Sequence, residues 1–236
     1  MTLPPAGFLT ANKPLPHAEH IFGTRSNAGH TADDSIRAAT ERLGAIAHMH
    51  QVHGNRLVYA SHSGMYEECD AVYTDQPDLW LAVKTADCAP VLISGPHAVA
   101  AVHLGWRSTR AELLAATIHT LCARFPQNPE DLHLAIGPCL CQHNFEVEKE
   151  FQDYFNIPNP SRFFAQNRPG HVLMDLPGII RAQALQEGLL DIHVHTLNRC
   201  TFDEADTFHS YRRAKQRGEN TAAARQLSFI RRTALL

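Results

Sequence analysis

The segment TADCAPVLISGPHAVAAVHLGWR, residues 85–107, contains two short apolar runs that meet at Gly95-Pro96. Runs of this length, rich in Val, Ile and Ala and broken by a turn dipeptide, read as strands, and strands joined so closely pair antiparallel. Gly-Pro is not a favoured two-residue turn, so a four-residue loop over 94–97 is expected. That loop sets Cys88 opposite His103 at the open end of the hairpin, with α-carbons roughly 4.5–5.5 Å apart and both side chains on one face. A thiolate and an imidazole so placed can share a metal ion or form a nucleophile–base pair. A catalytic metal site needs a third protein ligand and an open position, and this donor set suits Zn²⁺ or copper over Mg²⁺. His48, His50, His53 and His62 are the candidates, and spacing alone does not choose among them.

The rest of the chain supplies strands and helices in mixture. Residues 33–44 read as a helix closed by Gly44, and 176–187 as another. Strands are expected at 57–59, 79–84, 132–136, 191–197 and near 227–230. Thr109 and Glu112 have capping-box spacing ahead of a helical face that runs from Leu113 to Phe125. No repeat, low-complexity tract or linker divides the 236 residues. The expectation is a single α+β domain over 1–236: a mixed β-sheet sandwich flanked by helices, with an antiparallel hairpin at about 89–103 carrying the metal site.

Charge and cysteine content narrow the partners. A formal net charge of −3 offers no basic face for nucleic acid or anionic lipid, which leaves a small molecule. No run approaches the ~20 apolar residues of a membrane span, and the proline-rich start does not resemble a secretory peptide. The expected location is the cytoplasm, where the six cysteines would be reduced thiols. Cys139-x-Cys141 is a poor metal motif and reads as structural. HAE at 17–19 with PCLC at 138–141 only faintly echoes the nucleobase-deaminase signature; its cysteine spacing is one residue short.

QVHGN (51–55), DAVYTDQPDLWLAVKTADCAPVL (70–92), AVHLGWR (101–107), IGPC (136–139), FEV (145–147) and CTFDEADTFHSYRR (200–213) resemble, in order, the motifs of the laccase-domain family, also called YfiH-type or polyphenol-oxidase-like. The resemblance implies an α+β sandwich-like fold with one zinc held by His53, Cys88 and His103. It also implies a purine nucleoside phosphorylase, converting nucleoside and phosphate to base and ribose 1-phosphate, with adenosine deaminase and methylthioadenosine phosphorylase activity. Three departures stand out: SNAGH (26–30) replaces a glycine-rich stretch after HIFGTR, Ser108 follows GWR where glycine is usual, and ENTAAARQ (219–226) interrupts the common TGR.

Phosphorolysis requires cations on the phosphate, and Arg25, Arg107, Arg212 and Arg213 are candidates because guanidinium matches phosphate bidentately. Deamination requires a zinc-activated water. Asp87 and Asp70 are candidate proton shuttles or orienting partners of the histidines; Trp106 reads as packing. The sequence leaves two other classes open: a hydrolase or acyl-transfer enzyme with Cys88 as nucleophile and His103 as base, and a non-catalytic metal-binding module. Copper-dependent phenol oxidation is a variant on the same ligands. The absence of an axial Met placed by sequence and of further His clusters argues against a four-electron oxidase.

Overall fold

The computed structural model describes residues 7–27, 31–221 and 225–233. Residues 28–30 of SNAGH and 222–224 of ENTAAARQ lie outside the described residues. In chain order the elements begin β1 (Phe8–Leu9), β2 (Ala18–Gly23), α1 (Ala32–Leu43), β3 (Ile46–Met49), β4 (Leu57–Tyr59), β5 (Gly64–Tyr66) and β6 (Ala71–Thr74). They continue β7 (Trp80–Thr85), β8 (Ala89–Ser94), β9 (Val99–Leu104), α2 (Trp106–Arg110), α3 (Leu113–Arg124), β10 (His133–Ile136) and β11 (Glu146–Glu148). Last come β12 (Phe164–Gln166), β13 (His171–Met174), α4 (Leu176–Gln186), β14 (Val194–Thr196), α5 (Tyr211–Gln216) and β15 (Gln226–Arg232).

One six-stranded sheet runs β1-β2-β15-β7-β3-β5, a second runs β14-β10-β8-β9-β6-β4, and β11-β13-β12 form a small third sheet. Parallel and antiparallel pairs occur in both large sheets. The class is therefore mixed α+β, as the interspersed strand and helix patterns suggest. Phe22, Leu81 and Ile230 of the first sheet share one buried cluster with Leu92, Val99 and Ala101 of the second. Ala100, Val102 and Leu104 point the other way, into a cluster with Leu114 and Ile118 of α3 and Ile180 of α4. On the far side of the first sheet, Ala39 of α1 joins Trp80 and Phe229. Strands β8 and β9 are thus covered on both faces, which is why they read as unbroken apolar runs and not as an alternation.

The hairpin forms, but its register differs from expectation. Ser94 pairs with Val99, Pro90 with His103 and Ala89 with Leu104, so the loop is 95–98 and Cys88 is not opposite His103. Gly95 donates to the Ala98 carbonyl at 2.9 Å. Gln127 fixes this turn by accepting from the His97 amide at 3.1 Å. A Cβ on Gly95 would lie 2.6 Å from the Gln127 Oε1. The slip is two residues, one strand period, so Cys88 and His103 keep a common face and become diagonal neighbours.

Two local expectations are also corrected. Thr109 and Glu112 form no capping box: Thr109 is inside α2 and donates to the Gly105 carbonyl, while Glu112 takes φ 57° between α2 and α3. Cys141 and Cys200 are joined as a disulfide with α-carbons 5.2 Å apart, so the thiols are not all free. The backbone brings the two segments together, because Cys139, two residues before Cys141, forms a parallel bridge with Cys200. Among the described residues no helix is long and apolar enough to cross a membrane.

Candidate metal centre and anion pocket

Three elements converge at one end of the two large sheets. Cys88 immediately precedes β8 and is half-buried; His103 is the penultimate residue of β9 and is 3% exposed. His53 sits in the loop after β3 with φ 60°, a left-handed conformation costly for a non-glycine residue. One ligand atom from each of His53, Cys88 and His103 lies within 4.8 Å of the others, an arrangement that could hold a metal ion. The His53 and His103 rings meet edge to face at 4.8 Å between centroids. The other three histidines considered from sequence are elsewhere engaged or oriented. His50 Nδ1 is 3.0 Å from Glu67, His62 Nδ1 is 2.9 Å from the Ser63 carbonyl, and His48 Nδ1 is buried within the fold.

Asp70, fully buried before β6, organises the corner. Its carboxylate accepts from the backbone amides of Val52, His53 and Gly54 at 3.2, 2.9 and 2.7 Å, which holds the QVHG loop in its strained form. It also lies 2.7 Å from His103 Nδ1, so the Nε2 of that ring is the atom left to face Cys88 and His53. Burial would raise the Asp70 pKa, but the bonds from His103 and the Gly54 amide outweigh it and hold the carboxyl below its ordinary value. Gly105 pairs across from Cys88 by the register of the hairpin, and a Cβ there would sit 2.9 Å from the Cys88 Sγ. Glycine in GWR therefore leaves room beside the Cys88 sulfur.

The electrostatics are those of a coupled pair. Burial pushes the Cys88 thiol up, but the charge of His103 and hydrogen bonds from His103 and His53 bring it down to about 6. Burial likewise disfavours protonated His103, yet the Cys88 thiolate and Asp70 raise it to about 9. Each charge thus favours the other, thiolate on Cys88 and proton on His103, and a metal ion bound there would compete with that proton for the imidazole.

The corner opens into a pocket of about 770 Å³. Its wall carries Lys84, Arg107, Arg212, Lys215 and Arg225, with Asp87 as the one carboxylate among the described lining residues. Asp87 has φ 86° and both carboxylate oxygens occupied: Thr201 Oγ1 donates to one and the Arg212 backbone amide to the other, each at 2.7 Å. It joins strand entry, the 200–208 loop and α5 around Cys88.

The structure separates the four arginines singled out from sequence. Arg107, on α2, lines the pocket with its guanidinium 4.6 Å from the Trp106 ring centroid. Trp106 also lines the pocket and packs on Phe151 at 4.8 Å. Arg212 lines it too, but donates to the Asn144 and Glu146 carbonyls at 2.9 and 3.2 Å. Arg213 is buried and turned away, donating to the carbonyls of Thr201, Phe202 and Phe208 at 2.6, 2.8 and 2.5 Å. Arg25 reaches the Ala205 carbonyl at 2.5 Å and is not part of the pocket wall.

Lys84, Gln51 and Lys215 are pocket residues that the sequence reading does not single out. Lys84 had a signal, being the one charge in the strand WLAVKT. Burial lowers its pKa, and nearby Arg225 adds to the effect against an opposing pull from Asp33. The Gln51 amide bonds both the Lys84 carbonyl and the Lys84 amide, at 2.8 and 2.9 Å, extending the β3–β7 ladder past Met49. That role needs the parallel pairing of β3 with β7 and has no local signature.

A family profile described as multi-copper polyphenol oxidoreductase laccase matches residues 25–232. The purine nucleoside phosphorylase of Deinococcus radiodurans is 33% identical over 205 residues, 86% of this chain and 74% of that one. The purine nucleoside phosphorylase YfiH of Escherichia coli K12 is 34% identical over 192 residues, 77% of this chain and 72% of that one. Among solved structures, YlmD of Geobacillus stearothermophilus superposes with a TM-score of 0.87 over 99% of this chain and 98% of its own, at 24% identity. Neisseria meningitidis protein NMB0706 gives 0.83 over 97% and 100%, at 28% identity. With its motifs in order, its fold shared and its length matched almost throughout, the chain belongs to the YfiH-type laccase-domain family.

Proposed function

We propose that the chain is a zinc-dependent purine nucleoside phosphorylase, with one pocket binding nucleoside and inorganic phosphate. The observation that carries this reading is a pocket of nucleoside-plus-phosphate size, walled by five cations against one carboxylate, that ends on a His-Cys-His corner. The names of the relatives agree with it.

His53, Cys88 and His103 fit a zinc ion by their chemistry: one acidified thiolate and two imidazoles, one of them oriented by a buried carboxylate. Copper accepts the same donors. A divalent ion held there supplies Lewis-acid chemistry to the substrate end of the pocket.

The chain's own residues do the rest. Arg107, Lys84 and Lys215 bind the phosphate and hold it for attack on the anomeric carbon, with positive charge fixed where the developing oxocarbenium-like state needs its anionic partner. Arg212 is pinned to two carbonyls and contributes charge more than a free fork. Asp87 acts by position: with both oxygens accepting bonds it fixes the backbone that presents Cys88 and the start of α5. Trp106 and Phe145 offer apolar wall to the base. Adenosine deamination and methylthioadenosine phosphorolysis belong to the same proposal as further reactions of this pocket.

The test is adenosine turnover by the metal-loaded chain with and without phosphate. Adenine should appear only with phosphate; Cys88→Ala should abolish it, and Arg107→Ala should raise KM for phosphate about 10–100-fold, a lost charge-assisted contact. Full phosphorolysis by Cys88→Ala overturns the metal-site reading. The Cys88–His103 ion pair favours one other reading, a thiol hydrolase. That enzyme would need no metal and would accumulate an acyl adduct on Cys88, visible by mass.

A further inference from the structure

A second convergence of donors lies outside the pocket. One ligand atom each from Cys141, Cys200 and Asp203 falls within 4.8 Å of the others. His143 Nε2 borders this group on its Asp203–Cys141 side, 2.8 Å from Asp203 Oδ2 and 3.4 Å from Cys141 Sγ, and Cys141 Sγ is 3.5 Å from the same Asp203 oxygen. In a catalytic triad the base uses different ring nitrogens for its two partners. Here a single nitrogen, a sulfur and a carboxylate oxygen point at one another. Donors around a tetrahedral zinc stand about 3.3–3.8 Å apart, given zinc–ligand bonds of roughly 2.0–2.3 Å. The two Cys141 contacts already fall in that range, and the hydrogen-bonded His143–Asp203 pair, both exposed side chains, has to open slightly.

We propose that Cys141, His143, Cys200 and Asp203 form a second metal site, which takes a zinc-class divalent cation when both thiols are reduced and is closed by the Cys141–Cys200 disulfide. The backbone holds the four donors together without the sulfur–sulfur bond. Cys139 donates its amide to the Arg199 carbonyl, and the Thr201 amide donates to Cys139, at 3.2 and 3.0 Å. Glu204 accepts from the Cys200 amide at 3.1 Å and pairs with Arg199. Asn144 donates to Asp203 Oδ1 at 2.7 Å, which leaves Oδ2 as the oxygen turned to the sulfurs. His143 and Asp203 are exposed, at 68% and 45%, so an ion reaches the site from solvent.

Binding releases the two thiol protons to solution as the sulfurs become thiolate ligands. Oxidation by a low-molecular-weight disulfide runs the other way: the two protein thiolates lose the ion and join, and the small disulfide accepts both electrons and is cleaved to two thiolates, which take up two protons from solution. Either the ion or the disulfide ties residues 137–141 to 199–203. Both segments hold Asp87, one through the Leu140 amide on its carbonyl and the other through Thr201 on its carboxylate.

The test counts zinc per chain in full-length protein, reduced with a phosphine or oxidised with glutathione disulfide, after loading with Zn²⁺ and desalting. A Cys88→Ser chain is carried in parallel, so the result does not depend on the His53–Cys88–His103 site. In both backgrounds the reduced chain should hold one more zinc than the oxidised chain. His143→Ala with Asp203→Asn, both exposed, should lose that equivalent, and so should Cys141→Ser. Glutathione disulfide added to the reduced, loaded Cys88→Ser chain should release one equivalent to a zinc-sensitive dye. Equal zinc in the reduced and oxidised Cys88→Ser chains overturns the proposal, as does retention of the extra equivalent by the His143/Asp203 double variant.

Discussion

Asp70 is fully buried and carries a negative charge, which is tolerable only because three backbone amides and one imidazole are directed at it. The same four bonds shape the loop that presents His53 and select the ring nitrogen that His103 offers. Asp70→Asn changes no ligand, but its NH₂ cannot accept, so one side of the carboxyl must face amide donors with a donor of its own. Affinity for zinc at the His53–Cys88–His103 corner should fall about 10–100-fold, the usual cost of losing an orienting partner, with the stoichiometry unchanged. Competition with a chelator of known affinity measures it. An unchanged affinity would mean that His53 and His103 hold their places without Asp70.

At the scale of elements, adjacent residues of one short helix take different roles, because each step around a helix turns the side chain by about 100°. Arg212 on α5 faces the pocket, while Arg213 faces inward and holds the 201–208 loop. Arg213→Met should destabilise the fold by about 3 kcal/mol by leaving carbonyls unpaired, while shifting KM for phosphate less than Arg107→Ala does. A urea melt beside a phosphate titration separates the two; a phosphate KM effect as large as that of Arg107→Ala would return Arg213 to the binding wall. The sequence could not distinguish these arginines, since both sit in the same SYRR string. It did show the hairpin, α1, α4 and β4, whose periodicity and terminators are local. It missed the register, which Gln127 fixes from 30 residues away, and the break at Glu112, where a left-handed residue splits what periodicity reads as one capped helix. Cys88 and His103 were legible as a pair because both lie on one hairpin. Cys141 and Cys200 were not, because a parallel bridge between distant segments brings them together.

For the whole molecule, the histidines set the response to acid. His20 is buried and accepts from the Ala11 amide, and burial followed by the nearby His195 lowers it to about 4. Burial and the neighbouring His193 bring His133 to about 4, and burial with Arg25 brings His209 to about 4. Each is neutral in the fold and ordinary, near 6.5, in the unfolded chain. The unfolded state therefore binds more protons between these values, and stability falls as pH drops from about 6.5 to about 4. His20 alone accounts for roughly 3 kcal/mol at most across that window. Asp70 adds its loss only at lower pH, since its carboxyl lies below the usual range. In the metal-free chain His103 and Cys88 oppose one another: the raised His103 loses its contribution as pH climbs from about 6.5 through about 9, while the lowered Cys88 gains its own over the same window, so the pair adds little net slope there. Urea midpoints of the chelator-treated chain should accordingly decline as pH falls from about 6.5 toward 4. The acid side should be shallower in His20→Gln, which keeps an acceptor for the Ala11 amide but cannot take a proton. A midpoint that stays flat from pH 6.5 to 4.5 in the wild-type chain would show that these rings are solvated, and with them the edges of the fold they occupy.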